Sequence, residues 1–181
     1  MPKKGNSNLR ENYCQVSLMC ILYKSTEKVV RNQVIDFWSD LNLFNPNQFI
    51  YLRGKSTLLQ LLAHYDDCAK ADNCSKPTDI IFLDLPKAFD CVPQERLSLK
   101  LNRHAIDGPL LQWFKHFFTN TMQRIVIRGK CSDWTSVKCG VPQGTILGPI
   151  MLTIYITTSQ QMWHPLSRFM QMILIYRFSQ A

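Results

Sequence analysis

The chain has 181 residues, 46% of them hydrophobic and 11% aromatic, which is enough for one domain with a real core and excludes a disordered chain. Its 21 Lys and Arg against 13 acidic residues give a formal charge of +8. That balance suits a polyanion such as nucleic acid; the basic residues form no run, so a soluble basic protein without such a partner fits the charge equally. The 7 Cys are odd in number and lack a C-x-x-C spacing, and the 4 His are dispersed, which argues against a zinc site of the usual spacing. No stretch approaches the ~18 apolar residues of a membrane span. With no signal peptide in view, the expectation is an intracellular protein with reduced thiols, no membrane and no disulfide-linked partner.

Residues Met1 to Gln15 are polar and basic and read as an arm. From Leu18 to Leu41, apolar residues at Leu18, Ile21, Leu22, Val30, Val34, Phe37, Trp38 and Leu41 fall at helical spacing. Asn45-Pro46-Asn47 breaks the chain. Ser56 has the chemistry of an N-cap for a second helix, whose stripe is Leu58, Leu61, Leu62, Tyr65 and Ala69. Asn73 to Thr78 reads as a loop. Asp79 to Leu83 holds the apolar run Ile80-Ile81-Phe82-Leu83, a short buried strand that delivers Asp84 to its end. Pro93 to His104 is the next predicted helix. Ile106-Asp107-Gly108-Pro109 is a turn, and Pro109 is placed to open a further helix running to Phe118. Gln123 to Arg128 alternates and is rich in β-branched residues; with Gly129-Lys130 and Trp134 to Lys138 it predicts a hairpin. Pro149 opens an apolar helix through Met151, Leu152 and Tyr155, and Phe169 to Tyr176 is a final strand. The expected class is α+β, a small antiparallel sheet covered by helices, with no internal boundary.

Two segments carry chemistry. The first is Phe82-Leu83-Asp84-Leu85-Pro86-Lys87-Ala88-Phe89-Asp90, and the second is Gly140-Val141-Pro142-Gln143-Gly144-Thr145-Ile146-Leu147-Gly148-Pro149. Alone, Asp84 reads as a strand-end turn residue and the second segment as a Gly/Pro-rich turn before a helix. Together, in this order, they resemble the palm motifs of reverse transcriptases from LINE-type (non-LTR, jockey-like) retrotransposons. Asn12-Tyr13-Cys14-Gln15-Val16-Ser17-Leu18 is similar to the family's N-Y-R-P-I-S-L segment. Gln48-Phe49 with Gly54-Lys55-Ser56-Thr57, and the stretches 106–113 and 123–127, extend the likeness over nearly all of the chain.

The resemblance implies a polymerase palm with helical fingers, about residues 1–78 forming the fingers and about 79–181 the palm. The family's thumb has no counterpart in the matched stretch, so a truncated domain is expected. The implied activity is RNA-directed DNA polymerisation on an RNA/DNA primer-template with Mg²⁺ or Mn²⁺. Asp84 stands at the family's first metal ligand, joined by the Leu85 carbonyl. Phe89 matches the aromatic gate that leaves no room for a 2′-hydroxyl. Gln143, Gly144 and Lys55 are implied nucleotide contacts, and Gly140, Val141 and Pro142 face the template. Lys87 and Asp90 complete the first motif, while Pro86 stands where Ser is usual.

The family's third palm motif reads F-A-D-D. The matching stretch here is Phe169-Met170-Gln171-Met172, so Gln171 and Met172 occupy the two acidic positions. Gln offers one neutral oxygen and Met a soft thioether that Mg²⁺ does not favour. Cys14-Gln15 replaces Arg-Pro, and Leu52 replaces an Arg of the fingers, leaving Arg53 or Lys55 to grip phosphate. The expectation is a degenerate domain without catalysis. Two alternatives stand beside it: a non-catalytic nucleic-acid-binding or interaction protein that reuses the scaffold, and a weakly active polymerase whose metal site is completed elsewhere, with Asp90 the nearest candidate. Tyr65-Asp66-Asp67 imitates the acidic doublet but precedes Asp84 inside a predicted helix, and reads as a solvated helix face.

Overall fold

A computed structural model of the chain describes residues 16–74, 78–84, 87–119, 121–127, 129–157, 168–170 and 173–179, with the backbone alone at 78–84, 127, 168–170 and 173–179. The elements in chain order are α1 (Ile21–Asp40), α2 (Thr57–Asn73), β1 (Thr78–Asp84), α3 (Gln94–Arg103), α4 (Gly108–Phe118), β2 (Met122–Gln123), β3 (Val126–Ile127), β4 (Lys130–Cys131), β5 (Thr135–Ser136), α5 (Gly148–Thr157), β6 (Arg168–Met170) and β7 (Ile173–Ser179). This is an α+β chain with a small antiparallel sheet. It gathers into two compact units. One is built from the chain up to Arg31 and from Phe89–Leu152; the other is built from Asn32–Ala88 and from Thr153 onward. No helix among the described residues is long and apolar enough to cross a membrane.

The first unit is organised by α4. Leu111, Phe114, Phe117 and Phe118 recur at three- and four-residue spacing and are all buried, the signature of a helix with one apolar face. Pro109 lies in the first turn of α4, where a missing N–H costs nothing. Trp113 stacks on Phe117 with ring centroids 5.6 Å apart, and Tyr23 of α1 stacks on the same ring at 6.1 Å. Leu97 and Leu101 of α3 are fully buried. The expected hairpin forms as two short antiparallel ladders. β2 pairs with β5 through Met122↔Ser136 and Gln123↔Thr135, and β3 pairs with β4 through Val126↔Cys131 and Ile127↔Lys130. Between the ladders Ser132 takes over: its hydroxyl accepts from the Ile125 N–H at 2.9 Å, and its own N–H donates to the Ile125 carbonyl at 2.9 Å.

The second unit carries the three-stranded sheet, in the order β1-β7-β6. β1 runs antiparallel to β7 from Thr78↔Ser179 to Asp84↔Ile173. β6 runs antiparallel to β7 from Arg168↔Ile175 to Met170↔Ile173. The single strand expected over Phe169 to Tyr176 is therefore two strands. An apolar run records burial but not a reversal of the chain inside it. The later part of α1 supplies Val34, Ile35 and Trp38 to the core, and Trp38 packs against Phe44.

Ser56 caps α2 as expected, its side chain accepting from the Leu59 N–H at 3.2 Å. The buried side of α2 is not the expected stripe. Leu58, Leu61, Leu62 and Tyr65 are exposed, whereas Gln60 and Ala71 are buried. Both polar atoms of the Gln60 amide lack a partner among the described residues. At the start of α1, Leu18, Ile21 and Leu22 are likewise exposed. Spacing defines an apolar face; what else the chain packs against decides whether that face is covered.

Candidate functional site

Asp84 is the last residue of β1, the strand end at which it was expected. The β1–β7 register sets its Cα opposite Ile173, and the β6–β7 register sets Met170 opposite the same residue. The sequence between Met170 and Ile173 is Gln171-Met172. The sheet thus brings Asp84 of the first motif level with Met170, the last described residue before Gln171. Leu85, Pro86, Gln171 and Met172 themselves lie outside the described residues, so the implied Leu85 carbonyl ligand does too.

In the first unit, the tail of the first motif meets the head of the second. The Val141 N–H donates to the Phe89 carbonyl at 2.8 Å, and the Gly140 N–H donates to the Val92 carbonyl at 2.8 Å. Gln94 adds a bond from its side-chain amide to the Gly140 carbonyl at 3.3 Å. Gly140 has φ +98, and a Cβ there would lie 2.9 Å from the Phe89 carbonyl oxygen and 3.0 Å from Asp90 Cα. Both facts require glycine: the left-handed region, and a backbone approach too close for any side chain. Gly129, at φ +78, has open space around it. Gly140→Ala is therefore expected to cost more than the ~1–3 kcal/mol of an unfavourable backbone region, and Gly129→Ala only that strain. Urea unfolding of the two variants checks this; equal midpoints would remove the steric argument.

The rest of the loop is held by the Ser17 backbone, by the Thr145 hydroxyl and by Glu27 of α1. The Ser17 N–H donates to the Gln143 carbonyl at 2.7 Å. Thr145 donates its hydroxyl to the Pro142 carbonyl at 2.7 Å and accepts from the Gly148 N–H at 2.9 Å. Just before α5, the Ile146 and Leu147 N–H groups donate to Glu27 Oε2 at 2.7 and 3.0 Å. Glu27 is fully buried, and its Oε1 has no partner among the described residues. A carboxylate there satisfies amides at the start of a helix and meets the positive end of its dipole. Tyr23, one turn away on α1, has its phenol pKa pushed up, first by burial and then by the charge of Glu27. The sequence reading did not single out Glu27. The signal was present: Glu27 stands three residues before Val30 and seven before Val34, a charge inside the apolar stripe.

The other expected site residues are placed as follows. Val141 is buried, Phe89, Asp90, Pro142 and Gln143 are half-buried, and Gly144 is exposed. Lys55 donates to the Pro46 carbonyl at 2.7 Å and sits 5.1 Å from the Phe49 ring, and burial pushes its pKa down. Arg53 pairs with Asp36 at 2.9 Å. Lys87 is exposed with φ +54. Asp66, of the imitation doublet, pairs with Lys70 one turn on, along an exposed side of α2. Among the described residues, no group of three or more His, Cys, Asp and Glu side chains gathers as metal donors. Cys20, Cys68, Cys74, Cys91, Cys131 and Cys139 carry free thiols.

A cleft of about 800 Å³ opens in the first unit, lined by Gly140 to Gln143, by Val16 to Met19, by Asp90 and Gln94, and by the β2–β5 hairpin. The family model described as reverse transcriptase (RNA-dependent DNA polymerase) matches residues 1–178. The chain is 25% identical over 145 residues to a probable RNA-directed DNA polymerase from transposon BS of Drosophila melanogaster, covering 80% of this chain and 16% of that protein. It is 24% identical over 144 residues to the probable polymerase from transposon X-element of the same species, with the same two coverages, 80% and 16%. It is 26% identical over 145 residues to the RNA-directed DNA polymerase from mobile element jockey of Drosophila funebris, again covering 80% of this chain and 16% of that protein. The chain thus spans about one sixth of the length of these curated relatives. With motifs, strand register and family match in agreement, the chain belongs to the reverse transcriptase (RNA-dependent DNA polymerase) family, as a reverse-transcriptase-like domain of the non-LTR retrotransposon kind.

Proposed function

We propose that this domain retains the template-facing loop of a reverse transcriptase and has lost DNA synthesis. In this reading β1, β6 and β7 belong to a palm and the N-terminal helices to fingers. The observation that carries the loss is the strand register. Asp84 and Met170 both pair with Ile173, and the residues between Met170 and Ile173 in the sequence are Gln171 and Met172. A divalent pair bound at such a site stabilises the attacking and leaving oxygens of nucleotide transfer. Mg²⁺ requires hard oxygen donors, mostly carboxylates. The donor set of one carboxylate, one neutral amide and one thioether does not fit two dications.

What the chain's own residues do is therefore binding and orientation. In the Gly140–Gly144 loop, Gly140 is buried against the Phe89-Asp90 backbone and Gly144 is exposed without a side chain. Phe89 and Gln143 border it in the places that, in the family, meet the sugar and base of a nucleotide. The partner of this surface is an RNA or RNA/DNA primer-template strand. The test is primer extension on an RNA template with dNTPs and Mg²⁺ or Mn²⁺, comparing this chain with Asp84→Ala. No product from either is expected. Product from the parent that disappears with Asp84→Ala would overturn the proposal and assign a working metal site. Binding of the same RNA is expected to weaken steeply as salt rises, because phosphate contacts release counterions.

A further inference from the structure

The hairpin that forms one wall of the cleft carries a feature that the core does not explain. Trp134 is 57% exposed, and the Arg124 guanidinium lies over its ring at 4.7 Å. A large indole left in water forgoes much of the stabilisation its burial would bring. The pair is not filling a gap: both β4 and β5 are exposed at every position. Residues 121–139 include four basic residues, Arg124, Arg128, Lys130 and Lys138, against Asp133 alone. Lys130 and Lys138 are exposed. An aromatic platform within a basic segment is the combination that single-stranded nucleic acid uses, bases stacking while cations follow the backbone.

We propose that the β2–β5 hairpin is a docking surface for single-stranded RNA, with Trp134, held by Arg124, stacking a base and Lys130 and Lys138 meeting phosphates. The inference rests on the reading of the Gly140–Gly144 loop as nucleic-acid-facing, and it extends that surface across the cleft the two share. Asp90 and Asp133 also line the cleft. They repel phosphates, so the bases enter the cleft, where a carboxylate can accept from a base amino group, and the backbone stays beside Lys130 and Lys138. The cleft volume of about 800 Å³ is in the range that holds a small organic ligand, so one or two bases fit.

The test uses the full chain and a labelled single-stranded oligoadenylate. Trp134→Ala and Arg124→Ala alter exposed positions, and a thermal unfolding curve confirms that each variant folds. Trp134→Ala is expected to weaken binding roughly 10-fold or more, and Trp134→Phe to restore most of it, because any aromatic face stacks a base. Lys130→Gln with Lys138→Gln is expected to lower the slope of log affinity against log salt by about two. If the parent binds the RNA and the Trp134 and Arg124 variants bind it equally, this surface is refuted while the loop reading stands. If the parent binds no RNA, both fall together. If the parent binds vesicles of anionic phospholipid rather than RNA, and Trp134→Ala abolishes that, the surface is a lipid contact and the proposal is wrong.

Discussion

Glu27→Ala is expected to destabilise the first unit by about 2–5 kcal/mol. Two amides, those of Ile146 and Leu147, lose the Glu27 carboxylate as their acceptor. An N–H left buried without a partner costs about 1–3 kcal/mol, and the Leu147 bond is a buried one. Removing the carboxylate also relieves the desolvation of a charge whose second oxygen is unpartnered, which keeps the loss below the sum of two charge-assisted bonds. Glu27→Gln retains one acceptor oxygen and is expected to lose much less. Urea unfolding orders the three proteins, and amide hydrogen exchange at Ile146 and Leu147 localises the effect: protection lost in the alanine variant, largely kept in the glutamine one. Equal stability of parent and Glu27→Ala would mean that the carboxylate does not hold this turn. Because Glu27 anchors the far end of the segment that begins at Gly140, the alanine variant is also expected to bind RNA more weakly than its remaining folded fraction accounts for.

Local signals were readable wherever a short stretch decides its own conformation. Ser56 caps the helix it precedes, Pro109 lies in the first turn of the helix it opens, and the apolar run 80–83 is a strand with Asp84 at its end. The sequence could not show which side of α2 is buried, since spacing alone favoured the leucines and the structure buries Gln60. The apolar run from Phe169 to Tyr176 did not by itself show the reversal between Met170 and Ile173, which only the family resemblance implied. The sequence also did not show the local partners of Lys55, a carbonyl nine residues away and the Phe49 ring. The glycine at position 140 was legible as a loop residue. The reason it must be glycine, the approach of the Phe89-Asp90 backbone, belongs to tertiary structure alone. Glu27 shows the same limit from the other side: a charge in an apolar stripe is visible in the sequence, whereas its partners lie 119 and 120 residues away.

The double change Gln171→Asp with Met172→Asp is expected to have the largest effect of any variant on chemistry, raising metal-dependent primer extension from none to a measurable rate. The scaffold around those positions is already in register: Asp84 faces Ile173, and β6 and β7 pair up to Met170↔Ile173. Two added carboxylates would supply the hard oxygen donors and the negative charge that neighbouring dications need. Electrostatic stabilisation of this kind is commonly the largest single contribution to a rate, worth orders of magnitude. Metal affinity gives a second readout that does not depend on how well primer and template are held. Titration with Mn²⁺ is expected to show tighter binding in the double variant than in the parent, and the gain is expected to vanish when Asp84→Ala is added. Tighter metal binding without extension would place the remaining defect in the grip on nucleotide or primer. Unchanged metal affinity would mean that strand register does not carry the side chains of positions 171 and 172 to Asp84, and the assignment of the lost site would fail with it.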